Sequence, residues 1–507
     1  MVTPDVLAAT RPRQPVAVSL GELRSWLAAL APVEAHGDLA VSVTGVSLSS
    51  ARIVPGDLYA ALPGSRAHGA TYAADAVRDG AVAVLTDPGG LTLLPAGLPA
   101  LVVDHPRAVL GRLSARVYGE PAARLRMIGV TGTQGKTTVT RLAEGGLLGA
   151  GVRAAVIGTV GTRIAGVEVK TALTTPEAPD LHGLFARMVE DGLTACAMEV
   201  SSHALVMGRV DGVVFDVAAF TNLGRDHLDF HSDLEDYYRA KASLFTPERA
   251  RVGLVSVDDE HGRRLARDAT IPVHTFSVHD PSADWSVTGV RADATGSTFT
   301  VVAPDGTHLP AGVPLPGEFN VANALTAIAV CATAGFDAGA VARAIADGGG
   351  VPGRLERVDA GQDFAVVVDY AHKPDAVEAA LTTLRPLTSG ALIVVLGAGG
   401  DRDPGKRPLM GALAGRLADV VVVTDDNPRT EDPAAIRSAL LAGVREGGAE
   451  VLEIGDRRAA IRAAVRLAGA GDIVLIAGKG HETGQEIAGD VLPFDDRVVA
   501  TEELAAR

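Results

Sequence analysis

The sequence predicts an α/β protein built from three domains, 1–122, 123–350 and 351–507, and three observations predict it. At 507 residues the chain is longer than one hydrophobic core usually serves, since single cores stop growing near ~250–300 residues. Short apolar runs of strand length alternate with amphipathic helical patterns, which is the signature of a largely parallel sheet covered by helices. One apolar run, Met127, Ile128, Gly129 and Val130, leads directly into a Gly-rich loop and then a helical segment from Thr138, the way a mononucleotide-binding domain begins.

The first domain mixes short apolar runs with turns at Pro55-Gly56 and Pro63-Gly64 and a helical pattern from Tyr72 to Val77, so a small α/β unit is expected. The second contains the strand, loop and helix at 127–138. The Gly-rich stretch 349–353 marks a linker. Beyond it, strands are expected at 364–368, 391–396, 419–423 and 473–477, separated by helical patterns. Pro374 suits a first helical turn, and Val377, Leu381 and Leu384 form one apolar stripe behind it. The alternation predicts a Rossmann-like, doubly wound sheet whose sites lie on loops at the strand C-termini.

Composition removes several function classes. The net charge of −15 disfavours general binding to nucleic acid or to an anionic membrane. An anionic nucleotide must then be held by a local site and a metal. No apolar run reaches bilayer-spanning length, and residues 1–20 lack the apolar core and cleavage site of a secretory signal, so the cytoplasm is expected. Cys196 and Cys331, both in apolar context, are expected as buried thiols rather than a disulfide or a metal pair.

Residues Thr131 to Thr138 read Thr-Gly-Thr-Gln-Gly-Lys-Thr-Thr. Gly132, Thr133, Gln134 and Gly135 expose backbone N–H groups, Lys136 offers a cation to phosphates, and Thr137 and Thr138 offer hydroxyls, one of them suited to Mg²⁺. The spacing departs from the usual phosphate loop, because Val130 stands five before Gly135. A Gly-rich turn of no function is the bland alternative, yet packing does not require a lysine at its tip.

This loop resembles that of the Mur ligases and the related folylpolyglutamate synthetases. Further blocks follow in the order of the Mur ligase family: Met198-Glu199-Val200-Ser201-Ser202-His203, Thr221-Asn222-Leu223-Gly224-Arg225-Asp226-His227, Tyr238-Arg239-Ala240-Lys241, Gly317-Glu318-Phe319-Asn320, Gly353-Arg354-Leu355-Glu356 and Asp369-Tyr370-Ala371-His372-Lys373-Pro374. The resemblance spans roughly residues 40 to 500, and Gln134 stands where the family usually has Asn. It implies an ATP-dependent amide ligase: ATP phosphorylates a carboxylate, and an amine attacks the acyl phosphate.

The resemblance also implies roles. Lys136 and Mg²⁺ stabilise the transferring phosphoryl group, and Thr137, Glu199 and His227 are metal ligands. Lys241 is implied to be carbamylated to N6-carboxylysine, which turns a cation into an anion beside the metal. Asn323, Arg354 and Asp369 resemble contacts to adenine, phosphate and ribose, with His372 near them. Taken singly, these residues are a surface carboxylate, a loop histidine, a solvated lysine, a helix-surface amide, a linker cation and a strand-end cap.

Two regions resemble the diamino-acid-adding MurE branch of the family. Ser50, in Leu48-Ser49-Ser50-Ala51-Arg52, aligns with a uridine diphosphate contact of an N-terminal UDP-binding domain, and Thr174, Thr175, Ser201 and Arg209 match positions that grip a UDP-linked muropeptide, UDP-MurNAc-L-Ala-D-Glu. Met207 stands where Gln is common. Asp426, Asn427, Pro428 and Arg429 resemble the loop of enzymes that use meso-2,6-diaminopimelate. That amino acid differs from lysine by a distal carboxylate, which a guanidinium binds bidentately. Arg402 is expected to assist, while Asp426, Asn427 and Glu482, with backbone groups near Gly478, accept from the distal ammonium. A lysine-adding ligase, a folylpolyglutamate synthetase and a non-catalytic nucleotide sensor are the alternatives; a monomer is expected, and its N- and C-terminal domains are expected to close around ATP.

Overall fold

The computed structural model describes residues 10–507 apart from Lys170, Ala172 and Ala294; residues 1–9, on which part of the N-terminal expectation rests, lie outside them. The chain divides into two compact units. One comprises Met1–Ser286, Ala303–Thr307 and Leu325–Ala344, the other Val287–Val302, His308–Ala324 and Ile345–Arg507.

The first unit contains the expected small α/β layer and the nucleotide-type layer. In the small layer the strands lie in the order Glu34–His36, Ala100–Val102, Ala83–Thr86, Asp57–Ala60 and Gly45–Ser47, parallel except for the first. The larger sheet has eight strands. Its order is Val167–Val169, Gly161–Ile164, Ala154–Gly158, Ala195–Glu199, Arg126–Thr131, Phe215–Phe220, Ala250–Ser256 and Val273–Phe276. The last six are parallel, and a hairpin extends the near edge.

Strand Arg126–Thr131 occupies the middle because Met127, Ile128, Gly129 and Val130 are apolar and buried whichever face they take, the pattern of a central parallel strand. Its register sets Val130 opposite Glu199 and Thr131 opposite Phe220. Three loops therefore leave the sheet at one edge, where the connections run to opposite sides and ligands bind. The helix Lys136–Gly149 begins at Lys136 rather than at the expected Thr138, because Gly135 at φ 85° takes the left-handed turn that starts winding at once. Cys196 and Cys331 are free, buried thiols, as expected.

The second unit contains a three-stranded sheet, Ser286–Asp293, Gly296–Val302 and His308–Val313, and a six-stranded one. The latter runs Glu356–Val358, Ala365–Asp369, Ile473–Ala477, Leu392–Leu396, Val420–Val423 and Glu450–Glu453, parallel after the first strand. All four strands expected here are present, and the helix Pro374–Leu384 begins with Pro374 and buries Val377, Leu381 and Leu384. Side-chain alternation explains the two layers of helices. Val367, Val394, Leu396 and Leu475 point into one core with Val377, Met410 and Leu440. Val366, Val368, Val395 and Ile476 point into the other with Ile461, Val465 and Val499. The Gly-rich stretch 349–353 is tied in: Val351 is buried, and the Gly353 N–H donates to Glu356 Oε2 at 2.7 Å. Among the described residues no helix is long and apolar enough to cross a membrane.

A fully buried ion pair joins this layer to its outer helices. Arg457 donates to both Asp496 carboxylate oxygens at 2.7 and 2.6 Å and to the Ala477 carbonyl at 3.0 Å. Removing one partner leaves the other charged and dry, so Asp496→Ala is expected to destabilise this sheet by about 3–5 kcal/mol, while a paired Arg457→Met, Asp496→Leu replacement costs far less. Amide exchange in strand Ile473–Ala477 during a urea titration checks this.

Candidate functional site

In the first unit the Gly-rich loop is braced from beneath by the segment that follows strand Phe215–Phe220. Thr221 Oγ1 donates to the Gln134 carbonyl at 2.6 Å. Asn222 accepts the Thr133 N–H on its backbone oxygen at 3.0 Å and the Gln134 N–H on Oδ1 at 2.9 Å. The Gly224 N–H donates to Thr133 Oγ1 at 2.9 Å. Two loop N–H groups are thus engaged inside the protein, and the loop runs into the N-terminus of helix Lys136–Gly149, the kind of helix end that suits an anion. The Gln134 side chain is exposed at the top of the loop, where its extra length over Asn meets no obstacle.

Lys136 Nζ donates to the Gly132 and Thr133 carbonyls at 2.9 and 3.0 Å. Thr137 Oγ1 donates to Glu199 Oε1 at 2.9 Å, so the hydroxyl and the carboxylate assigned to a metal are adjacent. Glu199 is buried and also accepts from the Thr159 N–H at 2.7 Å and Thr159 Oγ1 at 3.1 Å. His227 occupies a left-handed backbone conformation at φ 54°, the kind of local strain that collects at functional sites. Its ring meets His203 edge-on at 4.8 Å, and His203 stacks on Phe230 at 4.0 Å.

Lys241 is the buried lysine of this site. Its Nζ donates to the Gly132 carbonyl at 2.7 Å and lies 4.4 Å from the Tyr237 ring centre. Burial, and then the nearby charge of Lys136, hold its amine well below the ordinary lysine range. A side chain that sequence alone leaves in solvent is thus buried and aimed at the Gly-rich loop.

The residues matched to a muropeptide form a chain along the same unit. Thr159 Oγ1 is 3.0 Å from Thr174 Oγ1, Thr175 Oγ1 donates to the Glu199 carbonyl at 2.8 Å, and the Ser201 side chain caps helix Ser202–Val206. Arg209 donates to Glu177 Oε1 at 2.8 Å and lies 3.4 Å from Met207 Sδ, so the sulfur occupies a polar contact on the guanidinium. Ser50 opens a short 3-10 turn just after strand Gly45–Ser47, and Arg52 of that turn pairs with Asp180 at 2.9 Å.

In the second unit, Asn323 is buried and donates to Asn320 Oδ1 at 3.2 Å. Arg354 lies 4.8 Å from the Tyr370 ring centre. Asp369 accepts the Leu355 and Ala371 N–H groups, each at 2.8 Å. Burial raises its carboxyl above the usual value. His372 donates from Nδ1 to the Tyr370 carbonyl at 2.8 Å, and burial lowers its pKa.

The charged loop after strand Val420–Val423 packs on the loop after Ile473–Ala477. Arg429, at φ 52°, donates from Nε to Glu486 Oε2 at 3.0 Å and from NH1 to the Gly400 carbonyl at 2.5 Å, which fixes the guanidinium plane. Asp426 is buried, and a Cβ on Gly478 (φ 120°) would stand 2.7 Å from its Oδ2, so only glycine fits. Asn427 Oδ1 accepts from Lys479 Nζ at 2.8 Å and from the Glu486 N–H at 3.0 Å, while its NH₂ donates to Glu482 Oε2 at 2.9 Å. With both lone pairs of that oxygen engaged, Asn427 orients the loop, and the acceptors for an ammonium are the carboxylates of Asp426 and Glu482. Arg402 is exposed on the neighbouring loop.

Sequence reasoning missed Lys479, Glu486, Tyr237 and His231. His231 is buried between Ser202 Oγ at 2.9 Å and Asp236 Oδ2 at 3.2 Å, and so anchors the segment that carries His227. Lys479 had a usable signal: like Lys136, it follows a buried strand almost at once.

Comparison with known proteins agrees with this arrangement. Residues 42–118 match the Mur ligase family catalytic domain, 130–331 the Mur ligase middle domain and 353–480 the Mur ligase glutamate ligase domain. The chain is 54% identical over 504 residues, covering 97% of its length and 98% of the relative, to a Streptomyces coelicolor protein named UDP-N-acetylmuramoyl-L-alanyl-D-glutamate--2,6-diaminopimelate ligase. A Streptomyces avermitilis protein of the same name is 54% identical over 503 residues, covering 97% of this chain and 98% of the relative. A solved structure of a protein with that name superposes with a TM-score of 0.70 at 35% identity, covering 97% of this chain and 99% of that one. Three domain matches in sequence and relatives of this identity over nearly the whole length establish that the chain belongs to the Mur ligase family.

Proposed function

We propose that this chain is a cytoplasmic, monomeric ligase that uses ATP to join meso-2,6-diaminopimelate to UDP-MurNAc-L-Ala-D-Glu, a step of peptidoglycan precursor synthesis. The observation that carries the reading is the loop around Arg429, where a fixed guanidinium belongs to the same loop as the carboxylate of Asp426. The distal carbon of diaminopimelate bears a carboxylate and an ammonium, and this loop offers a partner to each. Lysine would leave Arg429 unused. The names of the relatives support the same amino acid. Domains of 1–122, 123–350 and 351–507 are part of this reading, which a separate main sheet within each supports.

The residues divide the work by charge. Ser50, Thr174, Thr175, Ser201 and Arg209 hold the UDP-muropeptide. The first turn of helix Lys136–Gly149 and Lys136 hold the phosphates of ATP, and Asn323, Arg354 and Asp369 hold its nucleoside and phosphate groups. The glutamate carboxylate attacks the γ-phosphorus and ADP leaves; the amine of diaminopimelate then attacks the acyl carbon and phosphate leaves. Among the described residues no three His, Cys, Asp or Glu side chains form a metal cage. Mg²⁺ takes one or two carboxylates and completes its shell with phosphate oxygens and water, and the Thr137 hydroxyl 2.9 Å from Glu199 supports a site of that kind. Thr137, Glu199 and His227 would hold it, and when bound it neutralises the phosphate oxygens.

The buried amine of Lys241 is suited to attack CO₂, forming an N–C bond and releasing one proton, which gives a carboxylate-like anion beside the phosphate loop. Lys241→Ala is expected to lower kcat by roughly 10²–10³-fold, with partial recovery in formate or acetate. Near-normal turnover in the variant, or no recovery with either acid, would contradict this role.

Arg429→Ala is expected to lower the ratio of kcat/KM for diaminopimelate over lysine by roughly one to two decades, as loss of a charge-assisted bidentate contact implies. The ratio cancels defects shared by both amino acids. An unchanged ratio, or an unmodified protein that prefers lysine, overturns the reading of this loop.

A further inference from the structure

Lys479 has no exposed side-chain surface. Its three N–H donors match three acceptors: Asn427 Oδ1 at 2.8 Å, Glu482 Oε2 at 3.2 Å and Asp426 Oδ1 at 3.4 Å. A buried lysine is costly unless paired, so these acceptors hold it as firmly as it holds them. The consequence for Asn427 is geometric. With Oδ1 held by the ammonium and by the Glu486 N–H, its NH₂ must face Glu482.

The consequence for Asp426 and Glu482 is electrostatic. Two carboxylates drawn together in a part-buried site repel, and a cation between them relieves that repulsion. Lys479 is that cation. The Arg457–Asp496 pair behind Gly478 is balanced within itself. Of the two carboxylates Glu482 is the more open to a ligand: its side chain is 33% exposed against 7% for Asp426.

We propose that Lys479 is the positioning residue of the amino-acid pocket: tied to Asp426, Asn427 and Glu482, it fixes the geometry in which the two carboxylates receive the substrate's ammonium. This rests on the reading of that loop as the diamino-acid site. Lys479 touches no substrate; it acts through the residues it holds.

The test is a comparison of kinetic constants in the full-length protein. Lys479→Met is expected to raise KM for diaminopimelate by roughly tenfold or more, the cost of unpairing charge-assisted bonds. KM for ATP and for UDP-MurNAc-L-Ala-D-Glu should stay within about twofold, and kcat at saturation within about threefold, because the residue orders the pocket and not the reacting atoms. Lys479→Gln, which keeps two N–H donors without the charge, is expected to lie between, and it stands in if the methionine variant does not fold. An equal rise in all three KM values, or none for diaminopimelate, overturns the proposal. The unmodified protein is assayed alongside: preference there for another diamino acid overturns the functional reading, and the same comparison of constants is then made with that amino acid.

Discussion

The carbonyl of Gly132 accepts from two lysines, Lys136 at 2.9 Å and Lys241 at 2.7 Å, and the chemistry of the first unit depends on that shared acceptor. Two amines on one oxygen crowd each other, and burial together with the nearby Lys136 lowers the pKa of Lys241 well below the ordinary lysine range. The arrangement requires glycine at this position. Its backbone is at φ 148°, and a side chain would run into Thr221 Oγ1. Thr221 and Asn222 in turn brace Gln134, so the loop is set by the neighbouring strand's end as well as by its own glycines.

The second unit solves a different charge problem. A pocket for a zwitterionic carbon must present both signs at close range without their cancelling each other. Arg429 is held in plane by Glu486 and the Gly400 carbonyl, and the acids are held by Lys479, so each charged group has an internal partner. The internal partners keep the groups oriented between turnovers. Preorganisation of this kind lowers the cost of ordering on binding.

Much of this was legible in the sequence. The strands at 364–368 and 473–477 stand out because a strand buried on both faces must be apolar throughout, and Pro374 marked its helix because proline is tolerated in a first turn. The loop lysine at 136 was legible because nothing in packing asks for a charge there. Lys241 was legible only through the family resemblance, since a lysine on an amphipathic helix is ordinarily solvated, and the contact with Gly132, 109 residues away, comes from the fold. Lys479 and Asn427, 52 residues apart, escaped for the same reason. The internal partners of Asn427 were not legible either, because the donors that reach its Oδ1, Lys479 Nζ and the Glu486 N–H, lie more than fifty residues away in sequence.

The central claim is that ATP cleavage by this chain is coupled to one diamino acid. The most direct measurement is ADP release by the unmodified protein as each of UDP-MurNAc-L-Ala-D-Glu, meso-diaminopimelate and Mg²⁺ is omitted in turn, with L-lysine substituted for the amino acid in a parallel series. The account predicts sustained release only when all three are present and little with lysine. Release that is independent of the amino acid, or equally fast with lysine, would contradict it.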